Sequence, residues 1–387
     1  MGDTGSSAPE NAPSKAASRT ESVIRLGLAL AFLYLFLVGI KGLETGISAF
    51  GENLVDTIFN LVSNPIAGLA AGILSTALVQ SSSVTTSTIV GLVAAGVLPV
   101  ETAVPMVMGA NIGTTITNTL ASMGHIRQGA YFERGFAGAI IHDYFNIITV
   151  VILLPLEIGF GLVSRLATAV AGPADRILPG GAGAGSSPIK RAIEVPIDWL
   201  GQAIQSAGWQ GALAPIVLVV GLVLIFAALW MITRQMKLVM SGRIENAING
   251  VLAKGAGLSA MAVGLVMTVA VQSSSITTSL LVPLVAAGVL TLQNAFPVTL
   301  GANVGTTITA LLASLATDSH EALVIALAHT VFNALGILII YPIPRMRAIP
   351  IRLAQWTAAV GTRNKTVLAA YVIGQFIVLP VVILLVA

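Results

Sequence analysis

The sequence predicts an all-α polytopic membrane protein: two inverted-topology repeats, each with a re-entrant helical hairpin and a broken transmembrane helix, plus one extra C-terminal helix. Three observations predict it: the composition, an internal duplication and an uneven spread of cations. Hydrophobic residues make up 56% of the 387 and charged residues only 9%, with a mean hydropathy of +0.93. A water-soluble chain carries about a quarter charged residues, so most of this surface faces something other than water. Apolar stretches at 23–40, 140–156, 212–232, 322–340 and 366–386 approach or reach the roughly 20 residues that cross a bilayer as a helix.

Residues 1–22 are rich in Gly, Ser, Ala and Pro without an apolar core. They read as a disordered cytoplasmic tail and not as a cleaved signal peptide. Residues 23–170 read as the first transmembrane repeat. Its parts are a spanning helix (23–40), a polar surface stretch (41–62), two apolar segments around Gln80–Ser83 (64–98), a helix interrupted at Asn111-Ile-Gly-Thr-Thr115 (102–123), and a spanning helix with His142 (132–160). The segments beside Gln80 hold only about 15 residues each, short for a crossing, and read as a re-entrant hairpin. Residues 171–210 read as an external linker loop around the Gly/Ser-rich run 180–187. Residues 211–342 read as the second repeat, in the same order: 212–232, 234–254, 256–290 around Gln272–Ser275, 295–316 interrupted at Asn303-Val-Gly-Thr-Thr307, and 322–341 with His329. Residues 343–387 read as a basic cytoplasmic loop and a final transmembrane helix.

The duplication is explicit. Val79–Ser87 returns as Val271–Ser279, Leu92–Leu98 as Leu284–Leu290, and Gly109–Thr117 as Gly301–Thr309, all at an offset of 192 residues. His142-Asp-Tyr-Phe-Asn146 returns as His329-Thr-Val-Phe-Asn333 at an offset of 187, the second copy having a shorter loop. Three crossings per repeat put the copies in opposite orientations. With the N-terminus inside, 14 of the 19 Lys and Arg fall in cytoplasmic segments and five outside (Lys41, Arg165, Arg176, Lys190 and Arg191). That bias is the one the positive-inside rule requires, and it puts the C-terminus outside.

Backbone interrupted at membrane depth is tolerated only where it lines a polar cavity or is buried in protein. Paired breaks in two inverted halves therefore point to one shared site near the midplane. A helix starting after each Gln-Ser-Ser-Ser offers free N–H groups and the positive end of its dipole to an anion. The hydroxyls of Ser81, Ser82, Ser83, Ser273, Ser274 and Ser275 add rotatable donors beside Gln80 and Gln272. Neither motif contains Lys or Arg, so a bound oxyanion needs mobile cations to balance it. Thr85, Thr86, Asn111, Thr114, Thr115, Thr277, Thr278, Asn303, Thr306 and Thr307 offer the hard oxygens that sodium accepts, and cation and anion then favour each other's binding. The competing structural reading is that these small and hydroxyl residues only let helices pack closely. His142 and His329, one turn before Asn146 and Asn333, read as braces between helices, with a proton-sensing or gating role as the alternative. Asp143 is an intramembrane charge whose counterpart is Thr330, and reads as a cation or gating residue.

Several classes are excluded. With no cysteine there is no thiol catalysis, disulfide or zinc–thiolate site. No nucleophile–base pair, metal cluster or phosphate-binding loop of the Walker type is present, so the chain does not read as an enzyme and needs no cofactor. The pI near 9.3 reflects cytoplasmic loops beside a lipid bilayer, not nucleic acid.

The duplicated Gln-Ser-Ser-Ser, the Gly-Ala-Asn-Ile/Val-Gly-Thr-Thr that follows and the His-x-x-Phe-Asn helices resemble the type II sodium-dependent phosphate cotransporter family, including its bacterial members, over about residues 23–385. The resemblance implies secondary active import of inorganic phosphate with sodium as co-substrate across the inner membrane. It implies phosphate and sodium at Gln80–Ser83 and Gln272–Ser275, with the neighbouring Thr and Asn for sodium, and it suggests a homodimer whose protomers transport singly. A carrier of the same architecture for a dicarboxylate or sulfate, and an anion channel, are the alternative readings.

Overall fold

The computed structural model describes residues 19–50, 62, 64–177, 188–240 and 257–386, and among these it is helical without a strand. Among the described residues, six helices are long and apolar enough to cross a membrane: Thr20–Phe50, Ala130–Phe160, Leu213–Met240, Leu292–Ser314, His320–Ile340 and Lys365–Val386. The expected tail at 1–18, most of the surface stretches (51–61 and 241–256) and the Gly/Ser run at 178–187 lie outside the described residues.

The first helix, α1 (Arg19–Phe50), starts inside the stretch read as tail and runs on through the first half of the stretch read as polar surface. Next come α2 (Pro65–Val79), α3 (Ser82–Ala94), α4 (Val100–Gly113), α5 (Ile116–Met123) and α6 (Ala130–Phe160). Helices α7 (Leu162–Ile177) and α8 (Pro188–Ser206) occupy most of the segment expected to be a linker loop. Composition singles out the Gly/Ser run but overlooks the amphipathic spacing on either side of it. Glu157 is buried and caps α7, accepting from the Val163 N–H at 2.6 Å and the Ser164 N–H at 3.2 Å.

The second half holds α9 (Leu213–Met240), α10 (Leu258–Val271), α11 (Ser274–Ser279), α12 (Leu281–Ala286), α13 (Leu292–Ser314) and α14 (His320–Ile340). Beyond it lie α15 (Pro344–Arg363), α16 (Lys365–Ile373), a π-helical turn (Gly374–Val378) and α17 (Leu379–Val386).

The two halves repeat one helix crossing. A Cβ on Gly72 would stand 1.9 Å from the Met106 carbonyl, and one on Gly109 2.0 Å from that of Leu69. In the second half a Cβ on Gly264 would stand 1.9 Å from the Val298 carbonyl, and one on Gly301 1.8 Å from that of Met261. Glycine is thus obligatory where α2 meets α4 and where α10 meets α13. The spanning helices that open the halves also pack on each other, with Gly39, Gly42 and Gly46 of α1 against Leu218, Gly221 and Ile225 of α9.

One expectation needs correcting. The interruption at Asn-Ile-Gly-Thr-Thr is present in the first half, between α4 and α5, but α13 runs unbroken through Asn303–Thr307. In α13 the Thr306 hydroxyl donates to the Ala302 carbonyl at 3.1 Å and that of Thr307 to Val304 at 2.8 Å, satisfying the turn within the helix. In the first half, the Thr115 N–H reaches Ile112 in a tightened turn, and the Thr115 hydroxyl also donates to Asp143 at 3.1 Å. The second half has Thr330 in place of Asp143 and lacks that pull.

The turns between elements set relative direction. The turn at 95–99 lies with Ser319 and Glu321 around one cavity. At the other end of α4–α5, Ser122 and His125 share a cavity of about 180 Å³ with Ser279, Pro283 and Ala286, and Arg134 Nε donates to the Ala286 carbonyl at 2.8 Å. The start of α4 thus lies near the start of α14, and the end of α5 near α11 and α12.

Candidate functional site

The two Gln-Ser-Ser-Ser turns have the same geometry. Gln80 (φ 57°) and Gln272 (φ 56°) are the two non-glycine residues with positive φ among the described residues. Each is the left-handed cap of the preceding helix, its N–H donating to Thr76 or Thr268 at 2.7 Å. An L-residue pays about 1–2 kcal/mol for that conformation, and such strain collects at functional sites. The next residue is an N-cap: Ser81 Oγ accepts from the Val84 N–H at 3.3 Å and Ser273 Oγ from the Ile276 N–H at 3.4 Å. The N–H groups of Ser82, Ser83, Ser274 and Ser275 precede the first bonds of α3 and α11, so they form two donor-rich helix starts.

The two turns differ in what holds them. The Gln80 side chain is exposed, whereas Gln272 is tied by its Nε2 to the Val269 carbonyl at 2.7 Å and by its Oε1 to the Thr309 hydroxyl at 2.8 Å. Thr268 Oγ1 donates to Thr277 Oγ1 at 2.9 Å. Its counterpart Thr76 is fully buried with no partner on Oγ1, as is Ser87.

The threonines expected to face sodium share one habit. Thr85, Thr86, Thr114, Thr277, Thr278 and Thr306 donate their hydroxyl protons to the carbonyl four residues earlier, at 2.8–3.3 Å. Thr307 donates three residues back, at 2.8 Å, and Thr115 shares its one proton between the Ile112 carbonyl at 2.9 Å and Asp143 Oδ1 at 3.1 Å. A hydroxyl whose proton is engaged offers only its oxygen lone pairs to what lies in front, the polarity a cation requires.

The asparagines and histidines form one network between the halves. Asn146 Nδ2 donates to the Asn111 carbonyl at 2.7 Å, and Asn333 Nδ2 to the matching Asn303 carbonyl at 3.4 Å. Asn303 Nδ2 donates to Asn146 Oδ1 at 2.8 Å and Asn333 Oδ1 at 2.9 Å, and His329 Nε2 pairs with Asn111 Oδ1 at 3.3 Å. His142 is buried with neither ring nitrogen hydrogen-bonded. Asn111 Nδ2 donates within its own helix, to the Val107 carbonyl at 3.0 Å, so the links between the halves are Asn303 Nδ2 to Asn146 and His329 to Asn111 Oδ1.

Sequence reasoning missed three residues here. Asn118 Nδ2 donates across the halves to Thr278 Oγ1 at 2.5 Å, and its own Oδ1 is buried without a partner. Its counterpart is Ala310, and that break in the repeat was the available signal. Tyr371 and Gln375, on the final helix outside the repeat, donate to Asp143, and no repeat-based reading reaches them.

A family model described as Na+/Pi-cotransporter matches residues 35–167 and 223–341, well over half of the chain. The chain belongs to the Na+/Pi-cotransporter family. Both matched stretches contain a Gln-Ser-Ser-Ser turn and a His-x-x-Phe-Asn helix, so the family match falls on the duplicated parts of the chain. Among similar curated proteins, the sodium-dependent phosphate transport protein 2A of Ovis aries is 32% identical, over 93% of this chain and 67% of its own length. The 2A protein of Rattus norvegicus is 32% identical over 92% of this chain and 67% of its own. The 2B protein of Homo sapiens is 30% identical over 94% of this chain and 65% of its own. No solved structure matches. The family is one of membrane carriers and not of enzymes, which with six helices among the described residues long and apolar enough to cross makes this chain a multi-pass membrane protein.

Proposed function

We propose that this Na+/Pi-cotransporter family member imports inorganic phosphate together with sodium, as a secondary active transporter of the inner membrane working by alternating access. The observation that carries the reading is the pair of left-handed glutamines, each followed by a serine-capped helix start, at matched places in the two halves. Gln80–Ser83 and Gln272–Ser275 bind phosphate through backbone N–H groups and serine hydroxyls. The proton-spent threonine oxygens take sodium, whose charge replaces the missing Lys or Arg. Relatives named as sodium-dependent phosphate transport proteins support both ions.

The halves sit inverted in the bilayer. The turn at 95–99 beside Ser319 and Glu321, and Ser122 and His125 beside Ser279 and Ala286, support this, as does the ion pair between Lys190 of α8 and Asp318 beyond α13, two positions assigned outside. Helices α2 and α3, of 15 and 13 residues, extend only about 20 Å each at 1.5 Å per residue. That is short of the roughly 30 Å of hydrocarbon and supports a re-entrant hairpin. The asparagine network is the joint about which the halves move. The N-terminus is cytoplasmic, the C-terminus external, and two such protomers pair as a homodimer.

Competition in proteoliposomes tests the substrate. Labelled phosphate uptake should fall with excess unlabelled phosphate or arsenate and stay within twofold of control with sulfate or succinate. Strong inhibition by succinate and none by arsenate would reassign the substrate to a dicarboxylate.

A further inference from the structure

Asp143 is fully buried in α6, and three side chains converge on it. Thr115 donates to Oδ1 at 3.1 Å, Gln375 Nε2 lies 2.7 Å from both oxygens, and the Tyr371 hydroxyl donates to Oδ2. A carboxylate has about four acceptor positions, and Tyr371 and Gln375 occupy most of them, with the Thr115 proton shared between Oδ1 and the Ile112 carbonyl. None of the ion pairs among the described residues includes Asp143. The carboxylate is therefore solvated by neutral donors, which a cation has to displace to approach it closely.

Two of the three donors come from the final helix, which belongs to neither repeat. Tyr371 and Gln375 are four residues apart and so share a face. Gln375 lies in the π-helical turn Gly374–Val378, a rare geometry that marks functional sites more often than chance. The Tyr371 ring is seated between Tyr144 and Phe136, each 6.2 Å away between centroids, and the Tyr144 hydroxyl bonds that of Thr357 on α15. The segment beyond the second repeat is thus built onto the buried carboxylate of the first.

We propose that the final helix is a latch on Asp143: Tyr371 and Gln375 fill the carboxylate's acceptor positions, and Asp143 takes a sodium ion only when they release it. The inference rests on the sodium coupling proposed above. Tyr371 and Gln375 act as positioning residues that compete with the ion. Weakening either one makes the carboxylate more available to sodium.

The test measures half-saturating sodium chloride for phosphate uptake into proteoliposomes at pH 8, comparing wild type with Gln375→Met and Tyr371→Phe. Each substitution keeps most of the side-chain volume and removes a donor. Half-saturating sodium should fall roughly 3- to 10-fold, the equivalent of one net hydrogen bond. Unchanged or raised values in both variants, with uptake still sodium-dependent, overturn the latch but leave the proposed transport standing. Wild-type uptake that ignores sodium removes the coupling instead, a different result. Amide hydrogen exchange on the unmodified protein decides independently of variant folding. Sodium chloride in place of choline chloride should speed exchange across 370–378 and leave 215–230 unchanged; slower or equal exchange at 370–378 overturns the proposal.

Discussion

Gln80 and Gln272 hold a backbone conformation that glycine would adopt without cost. A folding argument alone would favour glycine at both places; the Gln272 amide ties Val269 and Thr309, whereas the exposed Gln80 amide is open to a ligand. Gln80→Gly should raise the midpoint of thermal unfolding, reflecting about 1 kcal/mol of relieved strain, while lowering phosphate uptake. Equal uptake would show that the Gln80 amide is outside the site. Ser82→Ala and Gln272→Ala should insert normally and lose most uptake, about tenfold or more; normal transport by both would mean the site is misplaced. The serines and glutamines were legible in the sequence because they are duplicated and polar in an apolar chain. Asn118, Tyr371 and Gln375 were not, because each lacks a polar counterpart at the matched position or lies beyond the repeat. The hydrogen bonds from Asn303 to Asn146 and between His329 and Asn111 Oδ1, which link the halves, are equally invisible in one dimension.

At the scale of elements, the glycines at the α2–α4 and α10–α13 crossings set how closely the turn-bearing hairpins approach the helices behind them. A side chain at Gly264 has to displace the Val298 carbonyl, 1.9 Å from the Cβ position, which backbone cannot do cheaply. Gly264→Val should cost at least the 1–3 kcal/mol typical of overpacking and greatly reduce the monodisperse yield in detergent. Gly27 of α1 has open space around it, and Gly27→Ala should gain up to about 1 kcal/mol from helix propensity. Similar behaviour of the two variants would count against the close crossing. The spanning helices were legible from hydropathy to within a few residues at most ends. The continuity of α13 was not, since the same Asn-x-Gly-Thr-Thr serves as a break beside Asp143 and as unbroken helix beside Thr330. Helices α7 and α8 were missed because Gly/Ser composition drew attention away from amphipathic spacing.

For the whole molecule, the account requires two halves of opposite orientation that meet at one site. The absence of cysteine makes this directly testable, since any introduced thiol reports alone. Arg127 follows the broken helix in the first half, and Gln202 lies on α8; both are exposed. A membrane-impermeant maleimide added to intact cells should label Gln202→Cys and spare Arg127→Cys until the membrane is opened. Labelling of both from outside would contradict the inverted arrangement. The duplication and the charge bias are the sequence grounds for proposing this architecture, whereas they say nothing of the chain beyond 343, which sits outside both repeats.

Coupling is the centre of the account, and uphill transport tests it most directly. Purified protein in phosphate-free proteoliposomes should accumulate labelled phosphate above the external concentration when sodium is imposed outside. The accumulation should collapse when a sodium ionophore is added. Equal uptake with and without the sodium gradient, stopping at equal concentrations on the two sides, would contradict it.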